Sequence, residues 1–175
     1  MTMFEDLDLA KFWDNDEYAI KEYVGKTPSP RTIAKVEKAL GYSLPQSYVA
    51  LMLRQNGGTP RNTCHRTNER TSWANDHIAI TGIYGIGSTK SCSLCGEVGS
   101  KFWMHEWGYP AIGVYFADCP SAGHDMLCFD YRSCGPSGEP CVVHVDQEHD
   151  YKITHVADSF ESFIRGLEPD ENFEY

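Results

Sequence analysis

Cys92-Ser-Leu-Cys95 is the spacing best suited to chemistry in this 175-residue chain. Two thiolates separated by two residues can grip one tetrahedral ion, so the pair has the form of half a zinc site. A second pair of ligands is needed, and Cys64-His65 is the best candidate. Adjacent ligands are unusual, however, and no second C-x-x-C occurs. The reading therefore favours free thiols, packed or exposed, and no bound cofactor. The seven cysteines are odd in number and no export signal precedes them, which argues against a disulfide framework. A thioredoxin-like redox role lacks the βαβ pattern it requires.

Other reactive spacings are weaker. Gly82-x-x-x-x-Gly87 followed by Ser88-Thr89-Lys90-Ser91 has the outline of a phosphate loop, but its Lys is displaced by two positions and no helix follows. A glycine-rich turn accounts for it. His124-Asp125, His144 and His155 could supply a general base, yet neither H-E-x-x-H nor G-x-S-x-G occurs. Cys, His and Asp can form a nucleophilic site on any fold, but most chains of this composition contain all three. Asp118, Asp125 and Asp130 do not follow the EF-hand spacing, so turn and edge-strand roles are expected.

Aromatic residues and charge point instead to binding. Trp103 and Trp107 flank His105-Glu106 and share a face if that stretch is helical. Trp73 stands in a polar segment where burial is hard. Large aromatics commonly anchor interfaces. The formal net charge of −10 is carried by the ends. Residues 1–24 hold seven acids and two bases, and residues 146–175 hold nine acids and two bases. Residues 25–145 are net +2. Such a chain repels nucleic acid and attracts a basic partner. The expected binding surface combines Glu148, Asp150, Glu168, Asp170 and Glu171 with an anchor from Trp73, Trp103 or Trp107. No run approaches the ~20 apolar residues of a membrane helix. The acidic N-terminus lacks a signal pattern, so a cytoplasmic protein is expected.

These residues need elements to hold them. Asp14 to Val24 reads as a first helix closed by Gly25. Ser29-Pro30 reads as an N-cap followed by proline at the first helical position, and Ile33, Val36 and Leu40 recur at helical spacing up to Gly41. Pro45 opens a helix with Tyr48, Val49, Met52 and Leu53 on its apolar face, stopped by Asn56-Gly57-Gly58. Thr59 to Asp76 reads as a long loop, His77 to Ile86 as β-rich, and Phe102 to Trp107 as a helical turn or two. Segments 111–117, 126–131, 141–145 and 151–156 then form an antiparallel meander. A last helix starts at Asp158 with an Asp158–Glu161 capping box and Phe160, Phe163, Ile164 and Leu167 inward. The acidic tail after Gly166 is expected to fray. The order predicts a single α+β domain with helices against one face of the sheet.

An ordered series of motifs runs through this frame. It comprises Glu37 and Gly41, Leu44-Pro45 with Tyr48, Asn56-Gly57-Gly58, Pro110 before an apolar strand, Asp125 to Asp130, Val142 to Asp146, and Ser159-Phe160 with Phe163. Over about residues 30–167 the chain resembles the SUKH superfamily, which includes Smi/Knr-type cell-wall regulators of fungi and many bacterial immunity proteins. The Arg-bearing loop 59–76 and the Cys-rich segment 88–109 depart from that pattern and mark local specialisation. The resemblance implies helices on a sheet of about six strands and no catalytic activity. It implies an immunity protein that neutralises a cognate toxin, often a nuclease. The alternatives are a Smi/Knr-type regulatory or scaffold module and, third, a small zinc or thiol enzyme.

Overall fold

The computed structural model describes residues 3–175. Two short helices come first, α1 (Leu9–Phe12) and α2 (Glu17–Glu22), capped by the side chains of Asp8 and Asp16. The predicted helix over 14–24 is thus shorter at its start, because Asp16 accepts from Ala19 N–H and fixes the entry there. Helix α3 (Pro30–Leu40) has the predicted Ser29 cap, and Gly41 ends it in the left-handed region at φ 84°. Helix α4 (Gln46–Arg54) follows Pro45. Its buried face carries Tyr48, Leu51 and Met52, whereas Leu53 is exposed.

Strand β1 (Cys64–Arg66) lies inside the segment expected to be a loop and pairs with β2 (His77–Ala79). The main sheet contains β3 (Gly82–Ile83), β4 (Gly113–Asp118), β5 (Asp125–Asp130), β6 (Cys141–Asp146) and β7 (Lys152–Ala157), all antiparallel and in chain order. The expected sheet of about six strands is therefore five strands plus a separate pair. The break falls at residues 80–81. Ile80 N–H donates to Thr63, and the next residue, Thr81, donates to Asp118, so the chain passes from one sheet to the other.

Both faces of the main sheet are covered, not one. Phe116 stacks on Phe129 at 4.0 Å, and Tyr48 of α4 meets Phe129 at 5.4 Å. Helix α6 (Phe160–Arg165) adds Phe160 and Phe163 to this face. Neighbouring strand residues point to opposite faces, so Cys128 and its partner Tyr115 lie on the other side. There Tyr115 packs on Tyr109, and Tyr109 on Tyr151. Helix α5 (Ser100–Glu106) touches β4. Every residue of β5 is buried as a result. Of α3 and α4, it is α4 that reaches the sheet, through Tyr48, while α3 has one buried residue, Val36.

Helix α6 starts one residue later than predicted. Ser159, not Asp158, is its cap, and Ser162 closes the capping box. The acidic tail is docked instead of frayed. Glu168 exchanges two main-chain hydrogen bonds with Cys64, residues Asp170–Asn172 form a 3-10 turn, and Phe173 stacks on His77 at 4.1 Å.

Candidate protein-binding surface

The four residues weighed and disfavoured as zinc ligands do not form a cluster among the described residues. Cys64 and His65 sit on β1, where His65 stacks on Phe163 and its Nδ1 contacts the Arg66 carbonyl. Cys92 is buried elsewhere, its N–H bonded to the Glu22 carbonyl. Burial pushes its thiol up to about 12, with Asp118 adding to the effect, so nothing there favours a thiolate. All seven cysteines are unpaired. Lys90 of the glycine-rich turn donates to the Ile20 carbonyl.

The acidic and aromatic residues do converge. The β6–β7 turn contains a 3-10 segment, Gln147–His149, and presents Glu148 and Asp150 to solvent. On one side Glu148 meets His124 at 2.6 Å, and His124 lies edge-on to Trp107 at 5.7 Å. On the other side Asp146, at the root of the turn, accepts from the N–H and hydroxyl of Ser72 at 2.9 and 2.7 Å. This holds the polar loop against the sheet and fixes the neighbouring Trp73. Trp73 meets Tyr175 edge-on at 5.9 Å, and the Tyr175 hydroxyl donates to Asp170. A continuous path of contacts thus runs from Trp107 through the turn and Trp73 to the C-terminal acids.

Between Trp73, Tyr175 and Asp170 lies an open cleft of about 630 Å³ floored by Ala79 and Ile80. It joins an apolar floor to one carboxylate, Asp170, a combination that suits a basic side chain with a long apolar stem. Asp170 and Glu171 are exposed on the tail. Glu168 is tied to Arg66 at 2.9 Å, and this hydrogen bond lowers its pKa. It is therefore already neutralised within the chain. Trp103 is 8% exposed, with its indole N–H donating to the Val98 carbonyl at 2.9 Å. Its place is in the core, because α5 turns that face inward. Trp73 and Trp107 are half-buried and remain reachable.

The motif residues hold the frame together. The Glu37 carboxylate accepts from Leu44 N–H at 2.8 Å and closes the α3–α4 turn. Tyr48 donates to the Tyr84 carbonyl. Asn56 does more than stop a helix. Its side chain bonds both the N–H and the carbonyl of Ile86 and the carbonyl of Lys26. Gly57 and Gly58 let this corner close, since a Cβ on Gly57 meets the Tyr23 carbonyl oxygen at 2.6 Å. Asp130 forms a bidentate pair with Arg132 that outweighs the upward push of burial and lowers its pKa.

A second cleft, of about 790 Å³, has the opposite sign. Val36 and Ile86 contribute its apolar wall, and Lys26, Lys35 and Lys90 stand at its edge. Sequence reading missed it because these residues come from three separated segments. Only the local excess of bases over residues 25–145 hinted at it.

No helix among the described residues is long and apolar enough to cross a membrane. No curated protein matches the sequence. A family model does match, SUKH_6, described as SMI1-KNR4 cell-wall, over residues 30–164. That span runs from the first turn of α3 to α6 and takes in the α3–α4 turn, the Asn-Gly-Gly corner and the whole meander, so the chain belongs to the SUKH_6 family.

Proposed function

We propose that this chain is a non-catalytic immunity-type protein that binds and neutralises a basic toxin domain, a nuclease being the best-matched class. A nuclease must be positive where it holds phosphate, and an acidic inhibitor is steered to such a surface. The observation that carries the reading is the cleft lined by Trp73, Tyr175 and Asp170, which the Asp146–Ser72 hydrogen bonds join to the turn that bears Glu148. Membership of the family supports a protein partner. In this reading Asp150 and Glu171 speed encounter, while Trp73 and Tyr175 hold the bound partner.

The test uses a basic toxin domain encoded beside this chain. Association and dissociation rates are measured from 50 to 500 mM salt. Asp150→Lys with Glu171→Lys should slow association, most at low salt. Trp73→Ala should speed dissociation by about thirtyfold or more, the equivalent of ~2 kcal/mol for an interface anchor. Binding that ignores both salt and these substitutions would place the interface elsewhere and end the proposal.

The regulatory or scaffold reading draws on the second, lysine-edged cleft, since a scaffold uses two faces at once. Lys35→Glu with Lys90→Glu separates the two readings. It should leave toxin neutralisation unchanged if the acidic face suffices.

A further inference from the structure

One buried group of side chains lies beside the β6–β7 turn, where Asp125 pairs with Asp146. Cys119 follows β4, Asp125 opens β5 and His144 lies in β6. They are 4%, 1% and 0% exposed. One ligand atom from each lies within 4.8 Å of the others. The His144 Nε2–Asp125 Oδ2 distance is 2.7 Å. We propose that Cys119, Asp125 and His144 bind one divalent transition-metal ion of the zinc class.

The donor set is the first argument. A thiolate, an imidazole nitrogen and a carboxylate oxygen are the ligands that zinc takes in proteins, and three of them leave a fourth position for water. Charge is the second. One thiolate and one carboxylate balance a dication, so the loaded site is neutral, which suits a place sealed from solvent. On loading, the Cys119 thiol gives up its proton to solvent, and His144 binds through Nε2 with its ring proton on Nδ1. Ligands on a shared tetrahedral ion stand about 3.3 Å apart for N and O, so the Asp125–His144 contact has to open by less than 1 Å.

Surrounding groups supply the outer support that metal ligands require. Ser121 is hydrogen-bonded to Asp125 Oδ1, and its hydroxyl also accepts from Asp125 N–H. His144 Nδ1 is buried with no hydrogen-bond partner. Thr154 stands directly opposite His144 in the β6–β7 register, and its buried Oγ1 also lacks one. No hydrogen bond joins the two, so closing one on loading requires a side-chain rotation.

The same three residue types could be read as a nucleophilic site. Their geometry disfavours that use. His144 Nε2 faces Asp125, not sulfur. Burial, and next the Asp125 charge, also raise the Cys119 thiol well above its ordinary range. A cation at the site would reverse that effect.

The experiment begins with wild-type protein, purified without chelator and measured by native mass spectrometry. Stripped protein is then titrated with Zn2+ and with Co2+. One tightly held equivalent is expected, with a thiolate-to-cobalt charge-transfer band in the near ultraviolet. Cys119→Ser should lose both, Ser121→Ala should weaken binding about tenfold to a hundredfold, and Cys92→Ser with Cys95→Ser should change neither. Wild-type protein that holds no equivalent and shows no cobalt–thiolate band overturns the proposal whether or not the variants fold. An equivalent lost in the Cys92/Cys95 variant, or kept at full affinity in Cys119→Ser, also overturns it.

Discussion

Asn56 ties together main chain that is far apart in sequence, and its side chain bonds three main-chain groups at once. It accepts from Ile86 N–H at 2.7 Å and donates to the carbonyls of Ile86 and Lys26 at 2.9 and 2.8 Å. At ~1 kcal/mol net for each bond, and more where a buried group is left bare, Asn56→Ala should cost about 3 kcal/mol. Urea unfolding measures this, and a loss below 1 kcal/mol would mean that water takes over the role. The sequence offered Asn-Gly-Gly as a helix stop but could not reveal this clamp, because its partners lie 30 residues away. Asp118 gives a second residue-level test. Burial pushes its pKa to about 6, against an ordinary 3.8, although the Tyr23 hydroxyl at 2.7 Å acts the other way. Between those two values the folded chain keeps a proton that the unfolded chain has released. Stability from this group therefore falls as pH rises from about 4 to 6. Asp118→Asn should remove that fall, so its melting temperature relative to wild type should rise across the same window. A constant offset from pH 4 to pH 7.5 would show that Asp118 does not titrate there.

The elements themselves were largely legible where periodicity and caps agree. Helices α3 and α4 and strands β4 to β7 lie within a residue or two of their predicted places, since each has a regular apolar pattern bounded by Gly, Pro or Asp. Helix α6 shows how far such reading goes. Asp158 and Glu161 have the residue types of a capping box, but so do Ser159 and Ser162 one step later, and only the burial of Phe160 and Phe163 decides the phase. Ser159→Ala should therefore cost about 1 kcal/mol, while Asp158→Ala should cost less than 0.5 kcal/mol. Equal losses in thermal unfolding would restore the earlier boundary. Strand β1 escaped notice for a different reason. Three residues with a buried, half-buried, exposed pattern carry no period, and Cys64 is held by the tail as much as by β2. The metal-site residues are also invisible along the chain. Cys119, Asp125 and His144 meet because β4, β5 and β6 are neighbours in the sheet, with His144 opposite Leu127, two residues from Asp125.

At the scale of the whole molecule, the placement of charge depends on how the C-terminus docks. A list of residues makes 168–175 a mobile acidic tail. In the structure it is a covering layer, in which Glu168 pairs with Cys64 along the main chain and with Arg66 by charge, and Phe173 stacks on His77. The Arg66 guanidinium also lies 4.7 Å from the Phe173 ring centre. Fixed acids present a defined surface, whereas a free tail only adds solubility, so the immunity reading needs this docking to hold in solution. Removing residues 168–175 tests it. The cut should uncover Cys64, which is fully buried beneath the tail, and should open one wall of the cleft beside Trp73. Under native conditions a thiol reagent should react readily with exposed Cys134 in the full chain and with one further cysteine in the shortened one. Mass mapping should identify that cysteine as Cys64, and Trp73 emission should shift to the red. Identical thiol counts and emission in the two chains would mean that the tail is undocked in solution. In that case Glu148 and Asp150 on the rigid β6–β7 turn would be the only acids of the proposed surface held in place for a partner.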